Sequence, residues 1–321
     1  MGIKIKNLFI KKFEQMKAII LGMGVQGEKR RIVCGSDFAG FVDPAKSEAA
    51  FKSITDVPLD SYDVALCCTP DGPKEDIIRY LVRHKKHVLL EKPFFVKTTA
   101  VLDEIQSEAN RNSIFVYTAY NHRFEPNFIA MKELLDKESL GEIYHCRIFY
   151  GNGTAQLVKD SVWRDTSSGV LHDLGSHLLD TIRFWFGARD FQFRSSLIRR
   201  HENRAPDHVS LMGSSGDLTI DLDMMLLSWR NHFTCDVFGS KGSAHLSSLC
   251  KWGPSSITVR NRIFPSGRPD EKKTQWLKSD PTWALEYKHF KEKIKKKAVT
   301  DLSSDRWISH SLETLSLDNT P

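Results

Sequence analysis

The sequence contains no long hydrophobic run, and no stretch approaches the roughly 18 apolar residues that a membrane-spanning helix needs. Residues 1–15 are basic and amphipathic, but they lack the apolar core and small-residue cleavage site of a signal peptide. The six cysteines show no CxxC spacing. We therefore expect a cytoplasmic protein with reduced thiols and no contact with a membrane.

The sequence also lacks a basic patch interleaved with aromatic residues, so nucleic acid is not an expected partner. The net charge is only +6, and much of the positive charge lies in residues 288–297. That run predicts the solvated side of a helix whose apolar side carries Tyr287, Phe290 and Ile294. A chain of 321 residues is long enough for two domains.

A glycine-rich turn follows the first predicted strand at residues 16–21, which leaves residues 1–15 as an N-terminal extension. The turn has the pattern GxGxxG and is followed by a short helix at 28–32, the context in which this pattern binds a dinucleotide. The first glycine allows the tight turn, the second lets the pyrophosphate approach, and the third packs the helix on the strand. The cofactor-binding residues predicted here are Gly22, Gly24, Val25, Gln26 and Gly27.

An acidic residue lies about twenty positions after the turn, as the dinucleotide-binding pattern requires. The predicted strand 38–42 ends on Asp43, whose carboxylate can accept hydrogen bonds from both ribose hydroxyls. Because this carboxylate would repel a 2′-phosphate, NAD is favoured as the cofactor, with NADP as the alternative. The plain alternative for Asp43 is a turn residue before Pro44.

Strands and helices continue to alternate through the first third of the chain. Strands are predicted at 64–69, 88–90 and 114–119, and helices at 73–84 and 98–111. The alternation predicts an α/β fold with a doubly wound parallel sheet, a Rossmann domain, over residues 16–124. Ligands bind at the carboxyl ends of such strands. That edge gathers Thr69, Pro70, Glu91, Lys92, Tyr120 and Asn121 around the cofactor crevice.

Two short motifs end the fourth and fifth strands. Lys92, in Glu-Lys-Pro, can direct an ammonium group into the crevice and polarise a substrate oxygen, and its bond to Pro93 is a candidate cis peptide. A solvated lysine is the plain alternative. Asn121 and Arg123, in Asn-His-Arg-Phe, suit recognition of hydroxyl or phosphate groups, or else a hydrogen-bonded domain junction.

A carboxylate and an imidazole lie four residues apart in a helix predicted at 171–186. At that spacing Asp173 and His177 share one side of the helix, and a carboxylate beside an imidazole holds a general base in one tautomer. An ordinary surface pair is the alternative. No metal site is expected, because His172 and His177 are off the period that would place them on one side, and no ligand cluster accompanies them.

The second half of the chain contains runs of strands joined by turns. They are predicted at 141–150, 191–199, 208–212, 218–227, 233–238 and 243–248. Such runs predict an antiparallel sheet in a second α/β domain over residues 125–321. Trp163 and Arg164 offer this domain a flat apolar surface and an anion-binding group for a substrate, although a core tryptophan and a surface arginine explain them equally well.

Four motifs in order resemble the Gfo/Idh/MocA oxidoreductases. These are the GxGxxG turn, Glu-Lys-Pro, Asn-His-Arg-Phe and the pattern Asp-x-Gly-x-His-x-x-Asp from Asp173 to Asp180. The resemblance runs from about Met16 to about Ser311. Two departures are visible: Ser167 and Ser168 precede Gly169 where the family usually has two glycines, and Lys74 stands where many members have a histidine.

The resemblance implies a Rossmann domain followed by an α/β domain with a large, mostly antiparallel open sheet. It implies hydride transfer between NAD(P) and a secondary alcohol or ketone of a sugar, cyclitol or nucleotide sugar. Catalytic roles then fall to Lys92, Asp173 and His177, with Asp173 orienting His177 as the base. Tyr120, Arg123, Trp163 and Arg164 complete the predicted substrate site.

Because family members commonly bury the open sheet against another subunit, we expect a homodimer or homotetramer. The alternative function is a catalytically idle dinucleotide-binding sensor or scaffold.

Overall fold

The computed structural model describes residues 16–96, 98–166, 168–277 and 279–317, without the side chains of Trp163 and Leu317. The predicted extension at residues 1–15 lies outside the described residues. The strands are β1 Ala18–Leu21, β2 Phe38–Val42, β3 Val64–Cys67, β4 His87–Glu91, β5 Val116–Ala119, β6 Ile143–Gly151, β7 Gln192–Arg199, β8 His208–Ser215, β9 Leu218–Met225, β10 His232–Gly239, β11 Gly242–Ser247, β12 Ser255–Asn261 and β13 Glu271–Trp276.

The α-helices alternate with the first strands and then frame the later ones. They are α1 Val25–Cys34, α2 Asp71–Arg83, α3 Ala100–Arg111, α4 Pro126–Asp136, α5 Ala155–Lys159, α6 Val162–Asp165, α7 Ser176–Phe186, α8 Thr282–Lys295 and α9 Ser303–Leu317. A single π turn, Leu171–Gly175, runs directly into α7, so the helix predicted at 171–186 is continuous but changes its winding. Among the described residues, no helix is both long and apolar enough to cross a membrane.

The first five strands form a parallel sheet in the order β2-β1-β3-β4-β5, which confirms the Rossmann prediction. Every residue of β1 is buried, as expected for a strand covered on both sides. Its side chains alternate between two cores: Ile20 packs toward α1, and Ile19 packs toward α2 and α3. The carboxyl ends of these strands therefore meet at one fixed edge.

The remaining strands form an eight-stranded sheet in the order β13-β12-β11-β10-β6-β9-β8-β7. Every neighbouring pair is antiparallel except β6 and β9, so the predicted large, mostly antiparallel sheet is confirmed. Helices α4, α7 and α9 cover one side of it through a continuous apolar core. The other side carries polar and half-buried residues.

One predicted domain boundary differs from the structure. Residues 125–321 were expected to form the second domain, but α8 packs on the five-stranded sheet, where Tyr287 and Phe290 join the core around Ile20. The physical reason is that α2 and α3 both lie on the opposite side of that sheet, and α1 alone leaves this side partly open. Burial of two aromatic side chains there contributes roughly 2–3 kcal/mol each.

The 3₁₀ turn Asn121–Phe124 joins the two sheets and is fixed by a buried ion pair. Arg123 Nε donates to Asp180 Oδ2 at 2.9 Å, and Nη2 of the same guanidinium donates to the other carboxylate oxygen. Asp180 lies in α7 and is only 1% exposed. Arg123 therefore ties the end of the first domain to the central helix of the second, the junction alternative noted above.

Replacing this buried carboxylate is expected to destabilise the protein. Asp180→Asn leaves the Arg123 charge without its counter-ion and should lower the free energy of unfolding by about 3–5 kcal/mol in urea denaturation. The matched control is Asp136→Asn, which breaks an exposed pair with Lys132 and should cost less than about 1 kcal/mol. Equal effects of the two variants would contradict a special role for the buried pair.

Candidate functional site

Lys92 lies at the end of β4 and reaches across to the second domain. Its Nζ donates to the main-chain oxygen of Asp173 at 2.6 Å and to Asp173 Oδ1 at 3.0 Å. The side chain is 14% exposed, so this lysine is not the solvated residue of the plain alternative. The peptide bond to Pro93 is cis, as predicted.

Asp173 lies in the π turn, where it faces two cations. Besides Lys92, the Arg164 guanidinium lies 3.5 Å from the second carboxylate oxygen. Burial acts to raise the pKa of Asp173, but the charges of Lys92 and Arg164 outweigh it and hold the pKa below its usual value. The carboxylate is therefore ionised at neutral pH and gathers both cations at one point.

His177 is buried in the first turn of α7 and stacks on another histidine. Its ring centroid lies 4.0 Å from that of His122, with the planes 16° apart, and the rings of Tyr120 and Tyr150 approach its edge. Nδ1 of His177 has no hydrogen-bond partner among the described residues. Burial first, and then His122 and the nearby ammonium groups, hold the pKa of His177 well below 6.5, so its ring is neutral.

The predicted contact between Asp173 and His177 is wrong. The hydrogen bonds within the described part of the chain include none between these side chains, because the carboxylate of Asp173 is engaged by Lys92 and Arg164 instead. A full ammonium charge attracts the carboxylate more strongly than a neutral imidazole does. Asp173 therefore positions Lys92, and His177 is held by its aromatic neighbours.

The glycine-rich turn has the shape that the sequence predicts. Gly22 has φ +87°, and a Cβ there would lie 2.9 Å from the carbonyl oxygen of Cys68. A Cβ on Gly27 would lie 2.1 Å from the carbonyl oxygen of Gly22, whereas a Cβ on Gly24 would meet nothing within 4 Å. No side chain of the described residues caps α1, so its first N–H groups are available beside Gly24. This cradle fits the pyrophosphate of a dinucleotide.

Asp43 ends β2 beside this turn and is held by the main chain. Its two oxygens accept hydrogen bonds from the N–H groups of Met23 and Ala45 at 2.8 and 2.9 Å. Burial acts to raise the pKa of Asp43, but these donors outweigh it and lower the pKa. The ionised carboxylate is half-exposed at the edge where a ribose would lie.

Two adjoining cavities open at this edge. The first, of about 390 Å³, is lined by Gly24, Val25, Gln26, Cys68, Thr69, Pro70, Asp71, Lys74, Glu91, Lys92, Pro93, Val158, Arg164, Gly169, His172 and Asp173. The second, of about 500 Å³, is lined by Gln26, Lys29, Arg30, Ile32, Val33, Glu91, Lys92, Ala119, Asn121, His177, Lys251, Trp252, Asp280 and Trp283. Gln26, Glu91 and Lys92 line both, so Lys92 stands between the glycine-rich turn and His177.

Two predicted substrate residues are not brought into these cavities. Tyr120 and Arg123 line a separate cavity beside Asp305, because Arg123 is drawn to Asp180 and the Tyr120 ring is buried against His177. The side chain of Trp163 lies outside what the structure describes. Asn121 does line the second cavity, with its amide bonded to Thr282 in α8.

Several residues that the sequence reasoning did not select hold the site together. The buried Lys74 ammonium donates to Asp71 at 2.6 Å and to the carbonyl oxygens of Glu91 and Pro93 at 3.0 Å each. It thereby fixes the main chain on both sides of Lys92. Asp71 also lies 3.2 Å from Nε2 of His172 in the π turn, a second link between the domains. The one available signal was the lysine at position 74, where the related family often has a histidine.

Comparison with known proteins gives a consistent result. A family model described as an oxidoreductase family with an NAD-binding Rossmann fold matches residues 34–120, and a model of the GFO/IDH/MocA C-terminal domain matches residues 128–245. Trans-1,2-dihydrobenzene-1,2-diol dehydrogenase from Oryctolagus cuniculus is 29% identical over 218 residues, which is 66% of this chain and 64% of that enzyme. The scyllo-inositol 2-dehydrogenase (NADP(+)) IolW of Bacillus subtilis is 25% identical over 173 residues, covering 52% and 46%.

Solved structures show the same fold at lower identity. Levoglucosan dehydrogenase in complex with NADH and L-sorbose superposes with a TM-score of 0.81 and 14% identity, covering 94% of this chain and 96% of that one. At this identity the similarity establishes the fold of both domains.

Two glycines of the turn are expected to respond differently to alanine. Gly24→Ala should preserve stability, since its methyl group meets no protein atom, but should weaken NADH binding about tenfold or more in a fluorescence titration. Gly27→Ala should lower the free energy of unfolding by about 1–3 kcal/mol, because its Cβ overlaps the Gly22 carbonyl.

The control for both variants is Gly72→Ala in α2, where nothing lies within 4 Å. It should change neither NADH affinity nor stability by more than the roughly 1 kcal/mol of helix propensity. Unchanged NADH affinity in Gly24→Ala would remove this turn from the cofactor site.

Proposed function

The chain belongs to the Gfo/Idh/MocA family of NAD(P)-dependent oxidoreductases, and from this premise we propose that it interconverts a secondary alcohol and a ketone on a sugar, cyclitol or related diol. One observation carries the proposal. Lys92 lines both cavities, so its ammonium stands between the glycine-rich turn and the neutral ring of His177. The rabbit and bacterial relatives act on a dihydrodiol and on scyllo-inositol by name, which supports a vicinal hydroxyl substrate.

The proposed site divides the chemistry among three side chains. When bound, the nicotinamide supplies a hydride acceptor or donor. In the oxidative direction, the Lys92 ammonium holds the substrate oxygen and stabilises the negative charge that develops on it. The neutral His177 ring accepts the hydroxyl proton. Asp173 keeps Lys92 in place through the 3.0 Å contact. In reduction each step runs in reverse, and His177 returns the proton.

The residues proposed to bind the cofactor lie in and around the first cavity. Gly22, Gly24 and Gly27 form the cradle for the pyrophosphate, and the ionised Asp43 favours the free ribose hydroxyls of NAD over the 2′-phosphate of NADP. Thr69, Pro70 and Glu91 line the path from the turn to Lys92.

We further propose a cytoplasmic homo-oligomer. All six cysteines are unpaired, and five are buried, which suits a reducing compartment. The outer side of the eight-stranded sheet exposes Met212 and Phe238 and carries the half-buried Phe149, apolar side chains that a second subunit would cover.

Removing the Lys92 ammonium is expected to abolish turnover and leave cofactor binding largely intact. Lys92→Met should lower kcat with the best substrate by about 100-fold or more, while the Kd for NADH changes less than about threefold. Lys288→Met, which alters an exposed lysine of α8, is the matched control and should keep full activity. A panel of diols, cyclitols and sugars assayed by NADH absorbance provides the substrate. NADH binding without turnover on any member would favour the idle sensor instead.

The depressed pKa of His177 predicts that the oxidation rate does not fall as the pH is lowered toward 6.5. Because the neutral ring is the proton acceptor and its pKa lies well below 6.5, protonation does not compete until the pH is well below that value. We expect kcat/KM for oxidation to stay level as the pH falls from 8 to about 6.5. A loss of activity that follows a pKa near 6.5, absent in His177→Asn, would show that the ring titrates like an exposed histidine.

A further inference from the structure

Several cationic side chains line the second cavity, and two of them form no ion pair within the described residues. Its cationic lining residues are Lys29, Arg30, Lys92 and Lys251. Arg30 is paired with Glu91 at 2.6 Å and with Glu286 at 2.8 Å. Lys92 is paired with Asp173. The remaining two lysines form no ion pair within the described residues, and one of them lies close to the proposed reaction centre.

Contacts with neighbouring residues hold that lysine, Lys251, in position. It lies in the 3₁₀ turn Cys250–Trp252, whose first N–H donates to the buried Glu125 carboxylate at 3.0 Å. The Lys251 ammonium donates to the hydroxyl of Tyr150 at 3.3 Å and lies 4.6 Å from the ring centroid of Trp252. Its main chain and its neighbours are therefore fixed, although the side chain remains exposed to the cavity.

The nearest carboxylates accept hydrogen bonds from other residues. Asp280 lines the same cavity, but its Oδ1 accepts from the main-chain N–H of Thr282 at 2.8 Å and from the Thr282 hydroxyl at 2.6 Å. One oxygen of Glu125 accepts from the N–H of Cys250, and neither carboxylate forms an ion pair with Lys251 within the described residues. An ammonium in a concave site without a direct counter-ion attracts an anion.

The position of this pair indicates a substrate group rather than a cofactor group. The Tyr150 ring lies 6.3 Å from the ring of His177, centroid to centroid, and belongs to β6 of the second domain. The cradle for the cofactor pyrophosphate lies in the other cavity, on the first domain. The Lys251 ammonium lies 5.9 Å from the centroid of the same Tyr150 ring, and Lys251 and His177 line the same cavity.

We propose that Lys251, whose ammonium is held by the Tyr150 hydroxyl, forms a subsite for an anionic oxygen group, a carboxylate or phosphate, carried by the substrate. The enzyme then acts on an acidic sugar or cyclitol derivative, with the anion anchored while Lys92 and His177 meet the reacting carbinol. This inference rests on the proposed function, and it assigns Lys251 a role in choosing the substrate.

Calorimetry on the full-length protein saturated with NADH tests the subsite without requiring turnover. The probes are matched pairs, D-glucuronate with D-glucose, D-galacturonate with D-galactose and glucose 6-phosphate with glucose. We expect at least one acid to bind about tenfold or more tightly than its neutral partner, and Lys251→Met to reduce that preference about 10- to 100-fold. Lys251→Arg should retain most of it, and Lys137→Met, an exposed lysine outside both cavities, all of it.

Each contrary outcome is distinct. If no acid binds more tightly than its neutral partner, or if Lys251→Met leaves the preference unchanged, the subsite is refuted. If Lys251→Met weakens NADH or NADPH itself, the ammonium serves a cofactor phosphate and the proposal is also refuted. Preferential binding of an acid without turnover of any substrate would refute the proposed function while supporting the subsite. The probe pair in which the protein prefers the acid identifies carboxylate or phosphate as the bound group.

Discussion

The contact between Lys92 and Asp173 is the constraint on which the site depends. It joins the end of a strand in the parallel sheet to the π turn that precedes α7, so it sets the relative position of the two domains at the reaction centre. The π turn lets the lysine take both the main-chain oxygen and the carboxylate of one residue, because the helical hydrogen-bond ladder is displaced there. The buried Lys74, bonded to the carbonyls on either side of Lys92, prevents the motif from moving away.

Patterns within short stretches predicted much of this arrangement. The buried strand β1 and the glycine-rich turn can be recognised from short stretches of sequence. Hydrophobic periodicity, turn geometry and the start of a helix are all determined by residues that are neighbours in the sequence. The rule that ligands collect at the carboxyl ends of parallel strands then placed Lys92 at the crevice correctly. Spacing also selected Asp173 and His177, which line the first and the second cavity respectively, although it misjudged which partner the carboxylate takes.

The remaining features depend on contacts between distant parts of the chain, which no local pattern records. Helix α8 packs on a sheet formed more than 150 residues earlier, because that side of the sheet lacked cover. Strand β13 has the sequence EKKTQW, which does not alternate apolar and polar residues. It is an exposed edge strand that is defined by its pairing with β12. Lys251 stands in a short turn whose sequence is unremarkable, and only folding brings it to His177. Arg123 looked equally suited to substrate or junction until Asp180 was found beside it.

The electrostatics of the site favour the transition state that the proposed reaction requires. A neutral imidazole stacked on a second buried imidazole resists protonation, and nearby ammonium groups strengthen that resistance. The same cations lower the free energy of a negative oxygen between them. Charge on that oxygen is absent in the alcohol and largest as the proton leaves, so the fixed cations stabilise the transition state more than the ground state. Because Asp173 orders Lys92 before substrate arrives, little reorganisation is needed when this charge develops, and the burial that makes His177 neutral also makes the attraction between ammonium and alkoxide strong.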